Sequence, residues 1–217
     1  MTDLLRVGEL LGGSGTSQPP TAGVTGAQRV QIAHGEYTDA ASRGRIFSLK
    51  SGAVTLDSAN VTTSALATAT FINGIANPSG SGKLLSILRA QIATVSGTPG
   101  GPFFYDYYSN VLVTNAATGT IRSNYLSSNA AGSSVATPLV DVVLTVSGGS
   151  TAALLQLGAI GGPAAIAAGA GLYGTIDEVR GSIIVPPGTI FGIMATAAGT
   201  THVVHSTLTW EEIPALS

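Results

Sequence analysis

Cysteine is absent from this chain. Disulfides, thiolate metal sites and cysteine nucleophiles are therefore excluded together, and the redox compartment is left open. Charge is scarce as well: 9 % of residues are Asp, Glu, Lys or Arg, and the formal net charge is −2. The nine cations are scattered as Arg6, Arg29, Arg43, Arg45, Lys50, Lys83, Arg89, Arg122 and Arg180. No basic patch results, and no nucleic-acid partner is expected. Long hydrophobic runs are missing too. The opening "MTDLLRVGELLGG" interrupts its apolar residues with Asp3, Arg6 and Glu9. It lacks the unbroken core of a signal peptide and is too short to span a bilayer, so no membrane partner is expected.

What is present is a positive mean hydropathy without a membrane span. That combination implies extensive burial against something, and other copies of the chain are one candidate. A length of 217 residues suits one large domain. Residues 1–40 read as an arm and linker, because "GGSGTSQPPTAGVTG" joins glycine freedom to a Pro-Pro stiffener and has little to bury. At its tip Leu4, Leu5, Leu10 and Leu11 form a short sticky segment, the candidate attachment point to a host surface.

From "RGRIFSLKSGAVTL" onward the pattern becomes short apolar runs punctuated by Gly, Pro, Asn and Ser, which predicts an all-β domain over 41–217. In "LVDVVLTV", Val140, Val142, Leu144 and Val146 fall on one face, with Asp141 and Thr145 opposite beside Leu139 and Val143. In "TIFGIMATA", Phe191 and Ile193 share a face, and Pro186 to Gly188 turn the chain into that strand. The ending "HVVHSTLTWEEI" sets Val204, Leu208 and Trp210 against His205, Thr207, Thr209 and Glu211, a half-buried final strand. The stretch "TNAATGTIRSNYLSSNAAGSSVATP" reads as a strand with long surface loops. "GAIGGPAAIAAGAGLYG" reads as a close-packing segment or a loop.

The segment "NPSGSGKLLSIL" from Asn77 invites comparison with a phosphate-binding loop, and its spacing fails at both ends. Asn77 stands where the first Gly belongs, and Leu84 follows Lys83 where a metal-binding hydroxyl is needed. A turn between two strands uses the same residues better: Pro78 fixes one backbone angle, the glycines accept positive φ, and Asn77 bonds local backbone. Beyond the turn Leu84, Ile87, Leu88, Gln91, Ile92 and Val95 also fit helical spacing, so periodicity leaves strand and helix both open there.

Other candidate chemistry is thin. His202 and His205 would point to opposite faces of a strand, which disfavours a shared metal ion; His34 and Glu36 share a strand face and with His205 could assemble a site, but the ligand count favours scattered surface residues. Asp177 and Glu178 follow no buried apolar strand of the kind that presents a magnesium-binding pair. No G-x-S-x-G elbow occurs. Paired carboxylates for glycan cleavage depend on the fold. The run "GPFFYDYYSN" crowds Phe103, Phe104, Tyr105, Tyr107 and Tyr108 around Asp106. Rings with an apolar body and polar tip suit core packing, a subunit interface or stacking on a sugar.

Four segments carry a family resemblance: "AHGEYTDAASRGRIFSL" from Ala33, "NPSGSGKLLSIL" from Asn77, "GSIIVPPGTIFGI" from Gly181 and the ending "STLTWEEIP". From about residue 33 to the C-terminus the chain resembles tailed-phage virion proteins. These are compact β-sandwiches, often trimeric, that decorate capsids or build fibre heads. The resemblance implies an antiparallel jelly-roll-like sandwich behind an extended N-terminal arm, with "NPSGSGK" as a hairpin connection and Lys83 facing solvent or a neighbouring subunit. It implies a non-enzymatic homotrimer on the outer capsid surface, cementing the major capsid protein or another virion protein. The alternative it carries is a fibre or tail head domain that binds a host-surface glycan. No catalytic residue, metal or cofactor comes with it.

Overall fold

The computed structural model describes residues 36–56, 68–97, 103–109, 119–124, 133–145, 150–158, 173–195 and 202–215. By contact density the chain divides after Asp39. The arm tip with Leu4, Leu5, Leu10 and Leu11 lies outside the described residues, as does His34.

Among the described residues one helical turn, α1 (Thr38–Ser42), precedes twelve strands. They are β1 (Ile46–Lys50), β2 (Val54–Leu56), β3 (Thr68–Asn77), β4 (Lys83–Ser96), β5 (Phe103–Ser109) and β6 (Ile121–Ser123). There follow β7 (Thr137–Thr145), β8 (Ser150–Gly158), β9 (Tyr173–Asp177), β10 (Ile183–Val185), β11 (Thr189–Ala195) and β12 (His202–Pro214). A seven-stranded sheet runs β10-β4-β12-β1-β6, with β9 beside β4 and β2 beside β12. A five-stranded sheet runs β7-β3-β11-β5-β8.

The antiparallel pairs are nested. β1 pairs with β12, β3 with β11, β4 with both β9 and β10, and β5 with β8. Successive pairs alternate between the two sheets. The chain is thus one long hairpin wound around itself, which is the jelly roll, and β6 and β7 extend the edges beside β1 and β3. The all-β, antiparallel sandwich expected from the sequence is what the chain forms.

The sheets meet through one core. Phe47, Leu49, Leu85, Ile87, Ile92, Val204, Leu208 and Trp210 from the larger sheet pack with Ile72, Ile75, Phe103, Tyr105, Phe191 and Ile193 from the smaller. Along β12, burial alternates without interruption from His202 to Glu212, as expected for a half-buried strand. Trp210 is fully buried and lies 6.2 Å from Phe47 between ring centroids, and the two residues are register partners.

β4 is a strand, and its helical spacing has a local cause. Leu85 and Ile87 face inward, then Ala90, Ile92 and Thr94, so the phase shifts at Leu88. The register with β12 slips at the same point, from Thr209↔Arg89 to Trp210↔Ile87. A bulge there buries the adjacent Ile87 and Leu88 and breaks the period of two.

β3 and β11 are buried on both faces from Phe71 to Asn77 and from Ile190 to Met194. Gly74 and Gly192 are register partners, and the Phe71 ring lies over both. A Cβ on Gly192 would come within 2.7 Å of that ring, so a bare backbone is required. The same double burial corrects the reading of β7: Val140 packs against the core, yet Leu139, assigned to the opposite face, is also fully buried. Asp141 breaks the alternation with φ 52°.

The assigned phase of β12 makes a sharp prediction for denaturant unfolding. Trp210→Ala should cost about 3–5 kcal/mol, as large core truncations do, and Thr209→Ala under about 1 kcal/mol. Trp210→Phe should retain most of the stability, because Nε1 of the buried indole has no hydrogen-bond partner among the described residues to lose. Equal small effects at positions 209 and 210 would contradict the phase.

Candidate functional site

The corner at Asn77 is built by its own residues. Ser81 N donates to Pro78 O at 3.1 Å, and Gly80 and Gly82 take φ 80° and 65°. Asn77 Nδ2 donates to Lys83 O (2.8 Å) and, across the sandwich, to Val185 O (2.9 Å), while its Oδ1 accepts from Ser81 Oγ at 2.6 Å. The turn is as expected; the hairpin is not, because β3 and β4 lie in different sheets and the turn carries the chain between them. Lys83 is half-buried at the start of a strand, not a helix, and its N–H is spent on Ser81 Oγ at 3.3 Å. The N–H groups of Ser81 and Lys83 are thus engaged within the turn itself.

Two further polar contacts tie the sheets. Asn73 Nδ2 donates to Leu49 O at 3.0 Å, and Tyr105 Oη donates to Asp177 Oδ2 at 2.9 Å. Burial, reinforced by the bond to Asp177, pushes the Tyr105 hydroxyl far above the ordinary tyrosine range. Glu178 instead pairs with Arg89 Nε at 3.0 Å. The acidic pair from the sequence is therefore divided between two structural roles.

Phe103 and Tyr105 sit within the core, against His202 and Phe191 at centroid distances of 6.1 and 5.4 Å. Neither ring is presented to a sugar. The side chains of Phe104, Tyr107 and Tyr108 lie outside what the structure describes. His202 and His205 point to opposite faces, as the strand spacing required. Among the described residues no cluster of His, Asp or Glu is arranged to hold a metal ion.

Three inward polar residues on β12, His202, Ser206 and Glu212, escape hydropathy reasoning. Glu212 accepts from Ser134 Oγ (2.6 Å) and Val135 N (2.9 Å), tethering the approach to β7. His202 Nε2 shares a 2.9 Å hydrogen bond with Thr94 Oγ1. The signal was parity, since positions 202, 206 and 212 match Val204, Leu208 and Trp210.

Among the described residues, a concavity lined by several hydrogen-bonding side chains lies on the outer face of the larger sheet, at the end where β9 flanks β4. Two cross-strand ranks define it. Ile176, Gln91 and Thr207 are successive register partners, and so are Gly174, Ala93 and His205. Ranks on one face stand about 6.8 Å apart along the strands. Gly174 and Ala93 leave their rank nearly empty, and a trough of about 360 Å³ opens beside Ile176, Gln91, Thr207 and His205. Ile176 is 57 % exposed. With the Gln91 amide turned so that its oxygen faces Arg89, the orientation that satisfies both groups, Nε (3.0 Å) and Nη2 (2.9 Å) of that guanidinium donate to Oε1. His205 Nδ1 is shielded from solvent and has no hydrogen-bond partner among the described residues.

Known protein-family models, curated protein sequences and solved structures were each compared with this chain, and none gives a match.

Burial holds the imidazole of His202 below the ordinary histidine range. The unfolded chain therefore binds more protons than the native one just below about pH 6.5, and stability falls as pH drops through that window. Melting temperature measured from pH 8 to pH 5 should fall more for the wild type than for His202→Gln. Parallel profiles would contradict a buried neutral imidazole.

Proposed function

We propose that this chain is a non-enzymatic structural protein of a phage virion. In this reading it decorates the capsid as a homotrimer and cements contacts between capsid subunits. The observation that carries the reading is the nested strand pairing, since double-sheet jelly rolls recur in viral capsid and lectin domains. That support is an analogy of architecture. The likeness of four sequence segments to tailed-phage virion proteins narrows it.

The surface of the larger sheet adds physical support. At the end away from the trough, Leu84 and Ile213 are register partners on the outer face and are only half covered, and Ile184 beside them is 45 % exposed. Apolar side chains grouped on a face otherwise carrying Arg45–Glu211 and Arg89–Glu178 pairs suit contact with another chain. Burial there contributes about 25 cal/mol per Å² of apolar area. Polar groups inside the sandwich serve cohesion, as the Asn77, Asn73 and Tyr105 ties do.

Attachment is assigned to the arm and trimerisation to the sandwich. A leucine-bearing tip on a glycine- and proline-rich connector orders at an entropic cost, so one arm binds weakly. Three arms on one trimer raise effective concentration and slow release. Deleting residues 1–30 should leave a soluble, folded trimer, measured by light scattering, that no longer sediments with particles lacking the native protein. Wild-type occupancy by the truncated protein would move attachment to the sandwich.

A further inference from the structure

We infer that the trough at Gln91, Ala93, Gly174, Ile176, His205 and Thr207 is a binding site for one ring of a neutral saccharide. The inference stands apart from the proposed capsid attachment, which is assigned to the arm.

The shape comes first. A volume of about 360 Å³ lies at the small end of the range of ligand clefts. It exists because a Gly and an Ala occupy adjacent register positions on β9 and β4. Gly174 is the narrower constraint: a Cβ there would stand 3.1 Å from Ile92 O.

The chemistry of the walls selects the ligand class. A pyranose offers an apolar C–H face and a rim of hydroxyls that both donate and accept. Ile176 supplies an exposed apolar wall, while the Thr207 hydroxyl and the Gln91 amide supply both hydrogen-bonding senses. Because Arg89 holds Gln91 Oε1, the amide Nε2 is the end left to donate. His205 adds an acceptor or donor. Its Nδ1 makes no bond where it stands, so turning the ring about χ2 to face the trough breaks none at that atom.

Charge selects against anions. No Lys or Arg among the described residues lines the trough, and the guanidinium of Arg89, two residues from Gln91, is engaged by Glu178 and Gln91. A phosphate or carboxylate would lose its hydration for hydrogen bonds to uncharged groups alone. A neutral polyol faces no such cost.

The test uses the full chain against an array of neutral and sialylated oligosaccharides. Saturation-transfer NMR with free glucose, galactose, mannose and N-acetylglucosamine gives the solution measurement. The expected result is binding to one or more neutral sugars, with a dissociation constant on the order of millimolar for a single ring. Ala93→Leu, which fills the trough from an outward-facing position, should weaken binding at least about tenfold. Thr207→Val, which removes one hydroxyl and keeps the shape, should weaken it about three- to tenfold. Melting temperatures of both variants establish that they are folded, and Thr207→Val decides the matter if Ala93→Leu fails to fold. Absence of binding by the wild type at 50 mM of each free sugar would overturn the inference. So would retention of full affinity by the variants, or binding confined to sialylated glycans. Any of these results would leave the virion reading standing, because particle attachment is measured separately.

Discussion

The central constraint is the position of β12 between β4 on one side and β1 and β2 on the other. β12 is an interior strand, so the larger sheet cannot close until residues 202–214 have joined it. Val204, Leu208 and Trp210 then join one core with residues of β3, β5 and β11. The pairing Phe47↔Trp210 joins opposite ends of the sandwich domain, a contact of very long sequence separation. Such closure is slow, because loop entropy is lost before the contact is gained. The result is a body whose ends are locked together.

Within that frame the polar interior acts as a set of registers. Asn77 bonds the carbonyls at the start of β4 and the end of β10, Asn73 reaches β1, and Tyr105 reaches β9. Each tie joins the smaller sheet to the larger at a different strand. A slipped sheet would strand these buried groups, at about 1–3 kcal/mol for each one left unsatisfied. The ties therefore select one alignment of two sheets whose apolar packing alone tolerates several.

Much of this was legible in the sequence, and the gaps have physical causes. β12 and the Pro186 to Gly188 turn follow from strict alternation and turn chemistry. β4 stayed ambiguous because a one-residue bulge at Leu88 imitates helical spacing over a short window. The turn at Asn77 was readable, but its destination was not, since nothing local distinguishes a hairpin from a crossing between sheets. The nested pairing links positions as far apart as Ile46 and Glu211, beyond the reach of any local pattern. The trough was invisible for a related reason: Gly174, Ala93 and His205 are neighbours only across strands. The five-ring run drew attention to β5, where Phe103 and Tyr105 prove to be core residues.

A jelly roll so closed, with its polar interior devoted to holding the sheets in register, is suited to bearing load and presenting a surface. The claim that it does so on a capsid is tested most directly by finding what the arm touches in an assembled particle. A photo-crosslinking residue placed at Leu4 or Leu10, activated on intact virions and followed by mass spectrometry, reports that neighbour. Crosslinks to the major capsid protein are the predicted result; crosslinks to a fibre or tail shaft would contradict it.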